Sequence, residues 1–174
     1  MNITQKILKN MLSYDAKSGL FTWIYPKCRK LKKGDSAGGM IGKYLSIQID
    51  GVRYKSHRLA WLYMYGEFPS KSLDHINEIK TDNRIGNLRE ATTAQNMQNI
   101  TKIKSSSSSS SQYMGVTWHK RNKKWYVRIK VNYIEKYIGS FDSETDAALA
   151  YLNAKRELHP FWVEKELSTR LSPL

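Results

Sequence analysis

The chain has 174 residues, enough for one or two domains, with 40% hydrophobic residues and a formal net charge of +14. That excess suits a polyanionic partner, nucleic acid ahead of an anionic membrane. No apolar run of ~18 residues is present to span a membrane. The segment MNITQKILKNML lacks a secretory-signal pattern, and a single cysteine, Cys28, excludes an internal disulfide and a Cys-x-x-Cys zinc site. The expectation is an intracellular, cytoplasmic protein in which any metal would be held by oxygen or histidine ligands.

In chain order, GLFTW and KYLSIQIDGVRYKS read as short strands, the second folded at Asp50-Gly51, a favoured hairpin pair. Between them KCRKLKKGDSAGG gathers Lys27, Arg29, Lys30, Lys32 and Lys33. Lys30 and Lys32 are candidate DNA contacts, with a solvated loop as the equal alternative. HRLAWLYMYGEFP predicts a short amphipathic helix through Leu59, Leu62, Tyr63 and Tyr65, stopped by Gly66 and Pro69. SLDHI predicts a strand. ATTAQNMQNI predicts a helix capped by Thr92 or Thr93.

Seven consecutive serines, Ser105 to Ser111, then split the chain. Such a tract buries nothing and reads as a flexible tether. After it, GVTWHK, KWYVRIKV and YIEKYIGSF are strand-like, and SETDAALAYLNAKRELHP begins with Ser143 and Asp146 at capping-box spacing and ends at Pro160. Ala147, Ala148, Tyr151, Leu152 and Leu158 give that helix an apolar face. Three antiparallel strands on one helix is the simplest way to bury it. Alternation in KWYVRIKV places Trp125, Val127, Ile129 and Val131 toward the helix and Lys124, Tyr126, Arg128 and Lys130 on the other face. That second face, with Arg121 and Lys123 in the preceding turn, is a candidate surface for phosphates and bases.

The residues that carry chemistry lie in LDHINEIKTDNRIGNLREATTAQNMQN, from Leu73. Hydrolysis of a phosphodiester needs a water deprotonated near neutral pH and a cation to stabilise the phosphorane and the leaving oxygen. His75 suits the first task, with an unperturbed pKa of about 6.5. Asp74 and Asn96 offer hard oxygen ligands for Mg²⁺ or Mn²⁺. Asn87 can hold His75 by its second ring nitrogen. Arg84 reads equally as a loop salt bridge or a phosphate clamp, Arg89 is a softer DNA candidate, and His57 reads as structural or as a phosphate contact.

The set Asp74-His75-Ile76-Asn77, Asp82-Asn83-Arg84-Ile85, Asn87-Leu88-Arg89, Thr92 and Asn96 resembles the HNH nuclease family over roughly residues 57–100. The resemblance implies a ββα-metal fold around one divalent ion, with His75 as general base, Asp74 and Asn96 as metal ligands, and Asn87 orienting His75. Many relatives have histidine where this chain has Asn96. The asparagine form is similar to phage and homing nucleases that use Mg²⁺ or Mn²⁺.

Gly115-Val116, Trp118, Trp125, Arg128, Ile129, Tyr137-Ile138-Gly139, Phe141 and Ala147-Ala148 with Tyr151 resemble the AP2 DNA-binding domain over about residues 113–158. That resemblance implies a three-stranded sheet laid in the major groove. The combined expectation is an α+β chain. A nuclease domain with an N-terminal β-ribbon covers 1–104, a serine linker 105–112, an AP2-like domain 113–160 and a tail 161–174. The function implied is a site-directed DNA endonuclease of homing type, phage-encoded, nicking double-stranded DNA as a monomer in a bacterial cytoplasm. The rival is a DNA-binding regulator with a decayed nuclease site. RNA binding would need exposed aromatics, for which Tyr126 and Tyr133 are the candidates.

Overall fold

The computed structural model describes residues 3–26, 30–100 and 110–164. The chain is α+β, with four α-helices and small antiparallel sheets among these residues. It divides into two compact units, Met1–Thr92 and Thr93–Leu174.

The first unit opens with α1 (Gln5–Met11), whose first turn is capped by the Thr4 hydroxyl accepting from Ile7 N at 3.4 Å. Strands β1 (Leu12–Asp15) and β2 (Leu20–Trp23) pair antiparallel, and their alternation buries Leu12, Tyr14, Phe21 and Trp23. Strands β3 (Gly39–Ile41), β4 (Tyr44–Ile49) and β5 (Val52–Lys55) form a second antiparallel sheet, with Asp50 and Gly51 both at positive φ in the β4–β5 turn. Helix α2 (Ser56–Tyr65) follows directly and ends at Gly66. Leu8, Leu12, Ile47, Leu59 and Leu62 from these elements meet in one core. Each such side chain contributes about 1.5–3 kcal/mol by burial. The last pair, β6 (Ser72–His75) and β7 (Leu88–Ala91), is antiparallel with Asp74 opposite Arg89 and His75 opposite Leu88. The expected helical face of α2 holds at Leu59 and Leu62, but Tyr65 is exposed.

The second unit contains α3 (Thr93–Asn99), a meander β8 (Val116–His119), β9 (Lys124–Val131) and β10 (Ile134–Phe141), and α4 (Glu144–Leu158). The Ser143 hydroxyl accepts from Thr145 N and Asp146 N, as the capping pattern predicts. Val116, Val127, Ile129, Ala147 and Tyr151 form its core, so the sheet face assigned to the helix from alternation is the buried one. The Lys155 ammonium donates to the carbonyl of Ile100 at 2.6 Å, and Phe161 N to the Gln98 side chain at 3.4 Å. These bonds gather α3 and the segment after α4 into this unit, and Trp162 in that segment is buried.

The serine tether differs from expectation at its end. Residues 105–109 and Lys27 to Arg29 lie outside the described residues. Ser111, however, is buried and donates to Glu144 at 2.7 Å, while the Ser110 hydroxyl accepts from Trp118 N. A hydroxyl with defined partners is part of a fold, so these two serines belong to the C-terminal unit.

Gly115 introduces β8 at φ +73, where a Cβ would lie 2.2 Å from the Tyr151 ring and 2.6 Å from the Arg128 carbonyl oxygen. Neither the ring of a buried tyrosine nor a strand backbone can give way cheaply. Gly115→Ala should therefore destabilise the second unit by about 2 kcal/mol or more. Urea unfolding of the variant against the parent chain measures this, and an unchanged midpoint would contradict it.

Candidate active site

The site is built on β6 and on the loop that joins it to β7. Asp74 and His75 are adjacent and both buried, at 5% and 1% exposure. Neighbours on a strand face opposite ways, so two different surroundings cover them. Asp74 meets Arg89 across the pair, with Arg89 Nε and Nη2 donating to Oδ2 at 3.2 and 3.1 Å. His75 meets the His57 ring edge-on at 5.1 Å between centroids, with Tyr44 at 6.2 Å.

Asn83 supplies the contact that orients His75. Its Oδ1 lies 3.3 Å from His75 Nε2. An amide oxygen only accepts, so Nε2 is assigned the proton and Nδ1 the lone pair. Burial lowers the His75 pKa, and the Asn83 bond acts in the opposite direction. His57 is lowered to about 3 by burial and by the adjacent His75. Both rings are consequently neutral near pH 7, the state in which an imidazole can accept a proton.

Asn87 does not hold His75. Its Oδ1 accepts from Asn77 N at 3.0 Å, and its Nδ2 donates to Asn77 Oδ1 and to the Asp82 carbonyl, both at 2.9 Å. The amide is used up closing the loop, and the role expected of it falls to Asn83. Asp82 accepts from Asn77 Nδ2 at 2.7 Å and from Arg84 Nε and Nη2 at 2.8 and 2.6 Å. The Arg84 fork holds the Asp82 carboxyl down to about 2. Of the two readings of Arg84, the loop salt bridge is the one seen. Arg89, grouped with the DNA contacts from sequence, directs its guanidinium to Asp74.

The loop is braced from the N-terminal hairpin. Tyr14 Oη donates to the Asn83 carbonyl at 2.7 Å, and burial pushes the Tyr14 phenol up to about 12. Gly19, at φ +75, lies so close that a Cβ there would be 2.4 Å from Arg84 N. Sequence reasoning saw Asn83 only as one letter of a pattern and missed Tyr14 and Gly19 entirely. No local signal marks a tyrosine that bonds a carbonyl 69 positions away.

Asn96 lies on α3, in the second unit. Its Oδ1 is buried and has no hydrogen-bond partner. No group of three His, Cys, Asp or Glu side chains suited to a metal occurs among the described residues. A ligand set of one carboxylate and one amide would not form such a group. Of the other candidate DNA contacts, Lys30, Lys32, Arg121, Lys123, Arg128 and Lys130 are exposed. Lys124 pairs with Asp142 at 3.2 Å and Arg128 with Glu135 at 3.3 Å, while Tyr126 stacks on His119.

A buried histidine thus sits beside a buried carboxylate, on two short strands closed by an asparagine-braced loop. Residues 54–98 match the protein-family model described as HNH endonuclease, and the chain thus carries an HNH endonuclease family domain running from the end of β5 into α3. No curated protein and no solved structure matches the chain. No helix among the described residues is long and apolar enough to cross a membrane.

The buried rings have a consequence for stability. Unfolded, His57 takes a proton near pH 6.5; folded, only near 3. Between these values the unfolded state binds more protons, so stability present above pH 6.5 falls as pH drops toward 3. The slope is about 1.4 kcal/mol per pH unit for one full proton. His57→Phe keeps the ring packing and should flatten the loss by up to one proton's worth. Urea midpoints between pH 7 and 4.5 test this, and equal slopes in both chains would remove His57 as a source.

Proposed function

We propose that the protein is a metal-dependent DNA endonuclease of homing type that nicks one strand of double-stranded DNA as a monomer. The observation that carries the reading is the buried imidazole of His75, bonded to Asn83 inside the HNH endonuclease domain. His75 is the general base and takes a proton from the attacking water at Nδ1. Asn83 is its positioning residue, and Asn87 fixes the loop that carries Asn83.

The HNH resemblance supports one divalent ion with Asp74 and Asn96 as its ligands. Asp74 and Asn96 are hard oxygen donors suited to Mg²⁺ or Mn²⁺, and the buried, unpartnered Oδ1 of Asn96 is an environment that a cation would satisfy. When bound, the ion supplies charge stabilisation to the phosphorane and the departing 3′ oxygen. Arg89 holds the Asp74 carboxylate in place. In this reading the HNH nuclease module takes the ββα-metal arrangement and leaves 5′-phosphate and 3′-hydroxyl ends.

The second module is an AP2-like domain that holds the DNA through Arg121, Lys123 and the open face of β8–β10. The +14 charge supports a nucleic-acid partner, and Lys30 and Lys32 add to the footprint. A cutting module joined to a holding module is the combination from which the homing role, a phage gene and action in a bacterial cytoplasm are inferred.

His75→Ala should lose cleavage by about 10²-fold or more while DNA affinity stays within a few-fold. EDTA should stop the parent chain and Mg²⁺ restore it. Native and denaturing gels of plasmid and phage-host genomic DNA separate nicks from double-strand breaks. Unchanged cleavage by His75→Ala would remove His75 from the mechanism. A parent chain that binds DNA but never cuts would turn the reading to the non-catalytic regulator.

A further inference from the structure

The open face of the β8–β10 sheet carries a row of aromatic rings. Register places Tyr126 opposite Thr117, His119 opposite Lys124 and Tyr137 opposite Arg128. His119, Tyr126 and Tyr137 therefore share the face turned away from α4 and run diagonally over all three strands. The His119 and Tyr126 rings are parallel, 4.4 Å apart and tilted by only 9°. Tyr137 meets Tyr126 edge-on at 5.6 Å and is 57% exposed.

The pair is fixed by one residue of the β8–β9 turn. Asn122 N donates to His119 Nδ1 at 3.2 Å, and Asn122 Nδ2 donates to the Tyr126 hydroxyl. Rings held from the same turn lose little freedom when a ligand arrives. A cross-strand aromatic pair also stabilises a hairpin, and that alone could explain two rings. It does not explain the third, largely exposed ring in line with them.

The charges on the same face are partly matched, with Lys130 exposed at its far end. Lys124 is paired with Asp142 and Arg128 with Glu135, so two cations beside the row are already matched by carboxylates. Arg121 and Lys123, in the adjoining turn, have no carboxylate partner among the described residues and remain available for phosphates. A strand whose backbone tracks the turn would lay its bases along the rings. In a paired duplex the base faces are hidden in the stack, and only unpaired bases can present them.

We infer that this face binds unpaired bases of DNA by stacking on Tyr126 and Tyr137, so that the preferred substrate is a locally opened duplex. This rests on the reading that the second unit binds DNA. The test is fluorescence anisotropy of the full chain in EDTA, on a fully paired duplex and on the same duplex with a short unpaired bubble. The bubble should bind about tenfold tighter, the scale of one base–aromatic stack. Tyr137→Leu and Tyr126→Leu should each remove most of that preference, read as the ratio of bubble to paired-duplex affinity within each variant. Tyr137→Leu, on an exposed ring, keeps the test decisive if the hairpin suffers from Tyr126→Leu. Equal affinity for the two DNAs, or a preference kept in both variants, overturns the inference and leaves DNA binding standing. Failure to bind either DNA overturns both.

Discussion

The Asn87 side chain closes the loop on which the site depends. β6 and β7 are only four residues each, too short for their ladder to fix the chain between them. The Asn87 amide joins both ends of that chain, at Asn77 and at Asp82, and the Asp82 carboxylate then ties in Asn77 and Arg84. Asn83, next along, is thereby set against His75. An uncapped loop would leave the buried imidazole without an orienting partner, and a buried polar ring without one is costly. The position of His75 thus depends on a residue whose side chain bonds elsewhere.

Much of this was legible in the sequence, and the rest failed for identifiable reasons. Period-two alternation in KWYVRIKV gave the buried and open faces of β9 correctly because both faces carry strong, opposite character. The cap at Ser143 and the turn at Asp50-Gly51 are local, and local signals survive. Helix α1 was not anticipated, although Thr4 followed by Ile7, Leu8 and Met11 carries the spacing. Strand β7 is four residues with mixed polarity, too little pattern to see. In the candidate site, spacing singles out Asp74 and His75, and both are buried at the end of β6. The choice between Asn83 and Asn87 as partner of His75 was not readable from spacing, because it depends on loop geometry that two asparagines four positions apart can satisfy in either order. Ser110 and Ser111 misled through composition, since a serine with a built partner looks no different in sequence from one in solvent.

The electrostatics of the second unit qualify the meaning of a large net charge. A basic chain is drawn to a polyanion as a whole, but on the open face of β8–β10 two of the cations, Lys124 and Arg128, are matched by Asp142 and Glu135. Exposed pairs of this kind contribute about 0–1 kcal/mol to stability, so folding does not explain their placement. Arg121, Lys123 and Lys130 stay exposed beside those pairs, so positive charge persists around the sheet.

The bond from Tyr14 to the carbonyl of Asn83 separates two notions of a domain. The segment recognisable as HNH begins near the end of β5, yet the loop at its heart rests on a hairpin near the start of the chain, with Gly19 shaped to admit it. Inheritance and folding therefore draw their borders in different places. A transplant of the recognisable segment alone would carry the reactive letters without the surface that holds them in register. Exchange of that first hairpin would take away the hydroxyl that bonds the Asn83 carbonyl, although it lies outside the recognisable segment.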